Sequence, residues 1–240
     1  FVQDLLLWST SEFGYVRLGD GFVQASSIMP QKRNPVAFEH ARAIASKALG
    51  QAQAVVLCVH NTPFGDIVDT EDDLQPLVSS AFRDATRVVK LLTAAMKTVA
   101  FDAAALEARA GEGWATLTEL ADSLVRDHGL PFKTAHAIAT SVMNGRRERP
   151  GAPLSSLVAE ASAGLHGTTL VYSEADLERL LSPRNFVTVR RTLGGPAPEE
   201  TARAAATSRR ELAADRDWRV ERVQALAEAE KRLAGRCAAL

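Results

Sequence analysis

The chain has 240 residues, and its 28 lysine and arginine residues nearly balance 29 aspartate and glutamate residues, which leaves a net charge of −1. This balance, without a basic stripe along any predicted helix, argues against nucleic acid and anionic membranes as partners. The longest apolar run, Ala54 to Val59, is too short to span a bilayer, and the length allows one or two domains with sizeable cores.

The chain begins at Phe1 rather than at a methionine, and its first residues already have the pattern of the middle of a helix. We therefore expect it to be the C-terminal half of a longer protein. Its two cysteines, Cys58 and Cys237, lie far apart in apolar or alanine-rich helical surroundings. This placement predicts reduced packing residues and a cytoplasmic protein.

Residues 14–34 are predicted to form a loop, because they show neither the alternation of a strand nor the period of a helix. The stretch from Ala25 to Pro35 combines hydroxyl, cationic and amide side chains, and Pro35 is well placed as the first residue of the next helix. A loop of this composition can surround an anionic substrate.

Two long helices are predicted after this loop. From Val36 to Asn61 apolar residues recur at intervals of three and four, and a similar seam runs from about Glu71 to Ala100. The opposite face of the first helix carries small residues in place of charges, namely Ala43, Ser46, Gly50 and Ala54. We expect both helices to belong to a bundle within residues 1–100, with contacts close enough to build an oligomer.

After Phe101 short helical segments alternate with glycine and proline, which predicts a smaller helical domain over residues 101–194. A final helix is expected within residues 195–240, with Glu199 and Glu200 at its positive end. Strand alternation is seen briefly from Phe186 to Val189, and the predicted fold class is all-α.

The residues of the predicted loop match a known signature. Its specified positions are Ser26, Ser27, Met29, Pro30, Lys32 and Asn34. The pattern resembles the signature of the fumarase/aspartase superfamily, whose members cleave C–N or C–O bonds and release fumarate. Gln31 and the flanking residues 4–14 look most like argininosuccinate lyases. Residues 120–126, 129–136 and 191–198 resemble the C-terminal part of the same enzymes.

The resemblance implies a long-helix bundle followed by a smaller helical domain. It also implies an amidine lyase of arginine biosynthesis, which converts argininosuccinate to arginine and fumarate without a metal or organic cofactor. Members of the family are homotetramers whose active sites combine segments from different subunits. By resemblance, Ser26 is the general base, Glu39 orients a catalytic histidine, and the substrate is held by Ser27, Met29, Lys32 and Asn34.

The chemistry of these residue types agrees with such a reaction. Removing a proton next to a carboxylate gives a doubly negative intermediate that needs fixed positive partners, and Lys32 and Asn34 offer an ammonium and an amide donor. A serine hydroxyl is a poor base at its ordinary acidity, so Ser26 requires activation by Lys32 and loop amides. The alternative for the serine pair is that Ser26 or Ser27 satisfies backbone groups, as serines in loops often do.

Glu39 also has an alternative interpretation as a solvated acid near a helix N-terminus. The histidine that it would orient belongs to the N-terminal half of the family, in a Thr-His motif that these 240 residues lack. The histidines of this chain lie outside any such motif and are expected to have structural or surface roles: His40, His60, His128, His136 and His166.

The sequence departs from the argininosuccinate lyase pattern between Pro63 and Gln75. Where the family typically has Tyr, Asn, Gln and Lys, this chain has Asp66, Ile67, Glu71 and Leu74. In the family the Tyr, Gln and Lys help to hold the amino-acid end of the substrate. Their replacement removes a cation and adds negative charge, which leads to the hypothesis that the leaving amine is not arginine. The alternative is that these acids form a solvated loop and a charged helix start.

The sequence leaves three further functions open. One is a lyase for an aminopolycarboxylate, resembling ethylenediamine disuccinate (EDDS) lyase, and another is an adenylosuccinate lyase. The third is a non-catalytic scaffold, since lens crystallins resemble this lyase. A Thr-His motif in the missing N-terminal half would favour an enzyme.

Overall fold

The computed structural model describes residues 1–29, 31–65 and 68–239. It divides into two compact units, Phe1–Arg109 and Ala110–Leu240. Helices make up most of both units, which confirms the predicted all-α class. Among the helices of the described residues, none is both long and apolar enough to cross a membrane.

The first unit is built around two long helices that pack against each other. Its helices are α1 (Val2–Trp8), α2 (Val36–Cys58), α3 (Val68–Glu71), α4 (Leu74–Met96) and α5 (Ala103–Ala110), the last of which ends at the boundary. Helix α2 runs along α4 and also contacts α1. The core between these helices centres on Leu5, Phe38 and Ala95, all at most 2% exposed.

Three of the four short strands of the described residues lie within residues 14–34 and correct the prediction that this range is a loop. Strand β1 (Val16–Arg17) pairs antiparallel with β4 (Ala100–Phe101), and β2 (Gln24–Ala25) pairs antiparallel with β3 (Arg33–Asn34). A 3₁₀ helix, Asp20–Phe22, lies between β1 and β2. Each strand has two residues, which is too few for alternation to show in the sequence.

The second unit consists of shorter helices and one very long one. They are α6 (Thr118–His128), α7 (Phe132–Glu148), α8 (Leu154–His166), α9 (Glu174–Leu180), α10 (Pro183–Thr188) and α11 (Pro198–Ala238). Leu120, Leu124, Ile138 and Val158 form the centre of its core. The strand-like stretch from Phe186 to Val189 is largely helical, because Ser182 caps α10 by accepting the N–H of Asn185.

A buried acid holds part of the second unit together. Glu119 is 1% exposed, and its carboxylate accepts hydrogen bonds from Arg126 at 2.9 Å and from Arg190 at 2.8 Å. The Arg190 guanidinium also lies over the ring of Phe186, 3.4 Å from its centre. Arg190 therefore ties the segment after α10 to α6.

A second buried acid joins α2 to α4. Asp84 is 1% exposed and pairs with Lys47 and Arg87, each at 2.9 Å, while Gln51 donates to it at 3.3 Å. The hydrogen bond from Lys47, supported by those from Arg87 and Gln51, lowers the pKa of Asp84 to about 2, and burial acts in the opposite direction. Lys47 and Gln51 lie one turn apart on α2, so this carboxylate fixes the register of the two long helices.

We expect Asp84→Asn to lower the melting temperature at neutral pH by on the order of 5–10 °C, because a neutral amide cannot satisfy the two cations. The folded pKa of Asp84, about 2, lies below its ordinary value of 3.8, so the carboxylate stabilises the fold above the ordinary value. This stabilisation is lost as the pH falls through the folded pKa. The difference in melting temperature between wild type and variant should therefore become smaller as the pH falls from about 4 towards 2.

Thermal unfolding followed by circular dichroism measures both effects. Asp215→Asn is a matched control, since Asp215 is exposed on α11. An equal loss in the control, or a gap that does not change with pH, would contradict the role of Asp84.

Candidate functional site

Of the signature residues, Ser26, Ser27, Met29 and Lys32 lie between β2 and β3, Asn34 ends β3, and Pro30 lies outside the described residues. The Cα partners are Gln24 with Asn34 and Ala25 with Arg33. Ser26 is the first residue after β2, and Lys32 is the last residue before β3. Ser26 and Lys32 therefore occupy opposite ends of the turn next to the last strand pair, although five residues separate them in the sequence.

Backbone amides hold the hydroxyl oxygen of Ser26. The N–H groups of Ile28 and Met29 donate to its Oγ at 3.2 Å and 3.1 Å, and the N–H of Lys32 donates to the carbonyl of Met29 at 3.0 Å. The backbone-bonding role that the sequence left open for Ser26 is thus present. The same two donors also stabilise negative charge on this oxygen, because hydrogen bonds to the charged form of a group favour that form.

The tip of the hairpin is open to solvent. Ser26 is half-buried, whereas Ser27, Met29 and Lys32 are exposed, and Ile28 is 86% exposed. The exposed apolar side chain of Ile28, next to a turn of polar residues, is available for contact with another molecule or another part of the protein.

Beside the hairpin lies a cleft of about 720 Å³ that contains two of the predicted residues, Asn34 and Glu39. Asn34 ends β3, and Glu39 lies in the first turn of α2, so the short connection through Pro35 brings them to one wall. The opposite wall comes from α1 and the residues after it, including Ser9, Thr10, Ser11 and Glu12.

Two arginines of this cleft were missed by the sequence analysis. Arg42 lies three residues after Glu39 on α2, and its Nη1 donates to Gln3 at 3.2 Å. Arg33 also lines the cleft and forms an ion pair with Asp20 of the 3₁₀ helix. The helical spacing of Arg42 from Glu39 was the available signal, and Arg33 stood at an unspecified position of the signature.

The polar groups of the cleft suit a small anionic ligand. Arg42 supplies a guanidinium group, which matches the geometry of a carboxylate, and Asn34 supplies an amide, while the guanidinium of Arg33 is engaged by Asp20. Glu39 is exposed and places a carboxylate at the same wall, where it can orient a basic group. Within the described residues, no cluster of three or more His, Cys, Asp or Glu side chains is placed to hold a metal ion.

The other predicted residues lie elsewhere. Asp66, with Ile67, lies outside the described residues. Glu71 is exposed at the end of α3, and the described lining of the cleft comes from residues 3–12 and 31–42, so Glu71 is not part of it. His40 is exposed on α2 next to Glu39, but the described lining of the cleft contains no histidine.

Comparison with known proteins gives two family matches. The family described as Lyase matches residues 1–50, and the family described as Argininosuccinate lyase C-terminal matches residues 114–188. The first match includes the hairpin, the cleft and the start of α2. The second covers most of the core of the second unit.

Curated relatives and solved structures extend these matches over most of the chain. Argininosuccinate lyase 2 of Agrobacterium fabrum is 38% identical over 89% of this chain and 43% of its own length. Argininosuccinate lyase of Methanoculleus marisnigri is 38% identical over 96% of this chain and 46% of its own length. The chain thus spans less than half the length of these relatives.

The solved structures are of a related lyase. An EDDS lyase variant with bound fumarate is 28% identical and has a TM-score of 0.78, over 97% of this chain and 47% of that chain. EDDS lyase in complex with formate matches with the same identity, coverage and TM-score.

The segment that leads into the hairpin depends on a close approach at Gly19. Its N–H donates to Oγ1 of Thr98 at 3.3 Å, and a Cβ at position 19 would lie 2.9 Å from Cβ of Thr98. We expect Gly19→Ala to destabilise the protein by about 1–3 kcal/mol, because the segment must shift to make room. Chemical denaturation of both proteins measures this difference.

Gly21→Ala is the matched control, since a Cβ there would meet nothing within 4 Å. If both substitutions changed stability equally, the contact with Thr98 would not be the cause.

Proposed function

We propose that this chain belongs to the argininosuccinate lyase family and that the protein containing it is a carbon–nitrogen lyase that releases fumarate from an N-succinyl amine. The first candidate reaction converts argininosuccinate to arginine and fumarate, as in arginine biosynthesis. The observation that carries this proposal is the hairpin turn, in which two amides hold the oxygen of Ser26 opposite Lys32.

In the proposed reaction, Ser26 acts as its alkoxide, which the two amides stabilise, and accepts the proton from the carbon next to a substrate carboxylate, so that its hydroxyl is restored. The electron pair of that C–H bond moves into the adjacent carboxylate and gives a doubly negative intermediate. The pair then forms the double bond of fumarate as the C–N bond breaks, and the amine leaves with the electron pair of the C–N bond. Lys32 and Asn34 stabilise the carboxylate that carries the intermediate charge. General-base elimination of this kind requires neither a metal nor an organic cofactor.

Three further residues complete the proposed site. Ser27 and Met29 lie on the exposed turn, where a substrate that enters the hairpin mouth meets them. Glu39 orients a histidine supplied by the N-terminal half of the protein, and this pair donates a proton to the leaving amine. The exposure of the Glu39 carboxylate supports this assignment, because a side chain from outside the chain can reach it.

We also propose a homotetramer with active sites shared between subunits. The support is the apolar surface that α2 and α4 leave uncovered, which includes Leu49, Val56, Leu57, Phe82 and Val89. Large exposed apolar patches mark interaction surfaces in soluble proteins. The small residues Ala43, Ser46 and Gly50 are also exposed on α2, where they permit another helix to approach closely.

A cytoplasmic location is part of the same proposal. Cys58 and Cys237 are free thiols, as expected in a reducing compartment.

A second candidate keeps the chemistry and changes the amine. An aminopolycarboxylate is one such amine source to test, because the similar solved structures are of EDDS lyase, a related lyase. The acids Asp66 and Glu71, together with Leu74 in place of a cation, favour a leaving amine that carries positive charge or lacks the carboxylate of arginine.

Ultraviolet detection of fumarate from a panel of N-succinyl amines separates the two candidates. We expect the full-length protein to release fumarate from argininosuccinate or from ethylenediamine disuccinate, and the preferred substrate identifies the amine. Adenylosuccinate serves as the comparison with the more distant lyase. Absence of fumarate from every member of the panel would overturn the lyase proposal.

Ser26→Ala should lower kcat by about 10²–10⁴-fold, because the elimination then lacks its general base. Ser26→Thr keeps a hydroxyl at the same position and should retain part of the activity. Steady-state kinetics of fumarate release measures both. Ser208→Ala is the matched control, since Ser208 is exposed on α11. Undiminished turnover in Ser26→Ala would exclude Ser26 as the base.

A further inference from the structure

We propose that the ion pair between Arg33 and Asp20 fixes the register of the β2–β3 hairpin, and that these two are positioning residues for Lys32 and Asn34. The inference rests on the proposed function for its effect on turnover, and on the structure alone for its effect on the hairpin. Neither residue is among those that the signature specifies.

The hairpin needs such a constraint because its backbone pairing is minimal. Each strand has two residues, and an isolated hairpin of this kind is at best marginally stable in water. The turn between the strands is long, so it does not by itself determine which residues pair. A slip of one residue would place Lys32 or Asn34 opposite Ala25 in place of Arg33.

Such a slip would rearrange the proposed site. Side chains along an extended segment alternate between the two faces, so Lys32 and Asn34 share one face and Arg33 lies on the other. A slip by one residue exchanges these faces. The ammonium and the amide that we assign to the intermediate would then move away from Ser26.

The ion pair favours the observed register over the registers that are shifted by one residue. Arg33 lies on β3, and Asp20 is the first residue of the 3₁₀ helix that precedes β2, so their contact links the two sides of the hairpin. Arg33 and, to a lesser extent, Arg17 keep the pKa of Asp20 below its ordinary value, so the carboxylate is charged at neutral pH. In a hairpin that has slipped by one residue, Asn34 or Lys32 would take the place of Arg33. Asn34 cannot form the ion pair with Asp20, and Lys32 cannot reproduce the planar geometry of the guanidinium.

Asp20 is itself held in place by the backbone. The N–H of Val23 donates to the carbonyl of Asp20 at 3.3 Å, and that of Phe22 donates to the carbonyl of Gly19 at 3.0 Å. The N–H of Gly19 donates a hydrogen bond to Oγ1 of Thr98, just after α4, and the preceding residue, Leu18, is 4% exposed. The backbone of Asp20 is therefore anchored next to the core of the first unit, and its carboxylate extends from this anchor to Arg33.

The pair is too exposed to contribute much to overall stability. The side chains of Arg33 and Asp20 are 41% and 84% exposed, and exposed ion pairs contribute little to folding. Loss of the pair should therefore leave the melting temperature nearly unchanged while it loosens the hairpin. This combination separates a positioning role from a general structural one.

The test compares Asp20→Asn, Arg33→Gln and the charge-exchanged double variant Asp20→Arg/Arg33→Asp in the full-length protein. We expect each single variant to lower kcat by about tenfold to a hundredfold with a smaller change in KM, since misplaced catalytic groups reduce turnover. The double variant should recover most of the loss. Arg17→Gln is the matched control, because it removes a nearby cation and leaves the pair intact.

Hydrogen exchange of the peptide that covers residues 23–35 gives a readout that does not need turnover. Exchange should become faster in both single variants and return towards the wild-type rate in the double variant. If both exchange and kcat in the single variants equal those of wild type, the inference is wrong. If wild type releases no fumarate but the exchange rates follow this pattern, the hairpin constraint stands and the proposed function fails.

Discussion

The candidate site depends on the pairing of two very short strands. The partners Gln24 with Asn34 and Ala25 with Arg33 bring Ser26 and Lys32 to the same end of a hairpin, where backbone amides hold the serine oxygen. Without this pairing, the hydroxyl and the ammonium would belong to a free loop, and the entropy of ordering that loop would oppose any productive arrangement. The chemistry that we propose therefore requires a local backbone constraint before it requires any particular side chain.

The long helices supply the frame on which this constraint is built. Phe38, in the first turn of α2, is fully buried against the core that includes Leu5 and Val16, so the end of β3 and the start of α2 are fixed together. Strand β1 pairs with β4 after the end of α4, which connects the entrance of the hairpin to the other long helix. Asp84 then sets the position of α4 along α2. In this way, packing far from the turn determines where the hairpin stands.

The sequence predicted the parts of this fold that repeat, and it missed the parts that depend on distant partners. The period of α2 and α4 extends over many turns and was visible from apolar spacing, although α2 ends at Cys58 and α4 begins at Leu74 after a separate short helix. The two-residue strands have no period to detect, since their partners are supplied by the fold. The signature gave the candidate residues by resemblance. The cleft beside them, with Arg42 on its wall, became visible when α1 and α2 were placed next to each other.

The arrangement of Glu39 bears on the proposal that further segments complete the site. Its carboxylate is exposed at the positive end of α2, on the wall of a cleft whose described residues include no imidazole. A carboxylate that orients a base needs that base within hydrogen-bond distance, and the nearby turn exposes Ile28 and Met29 as well. A segment that covers this region can bury the apolar side chains and can also bring a basic group to the Glu39 carboxylate. The uncovered apolar face of α2 begins farther along the same helix, so one approaching segment can meet both the cleft and the helix. This geometry supports the proposal that the remaining catalytic groups come from outside these 240 residues.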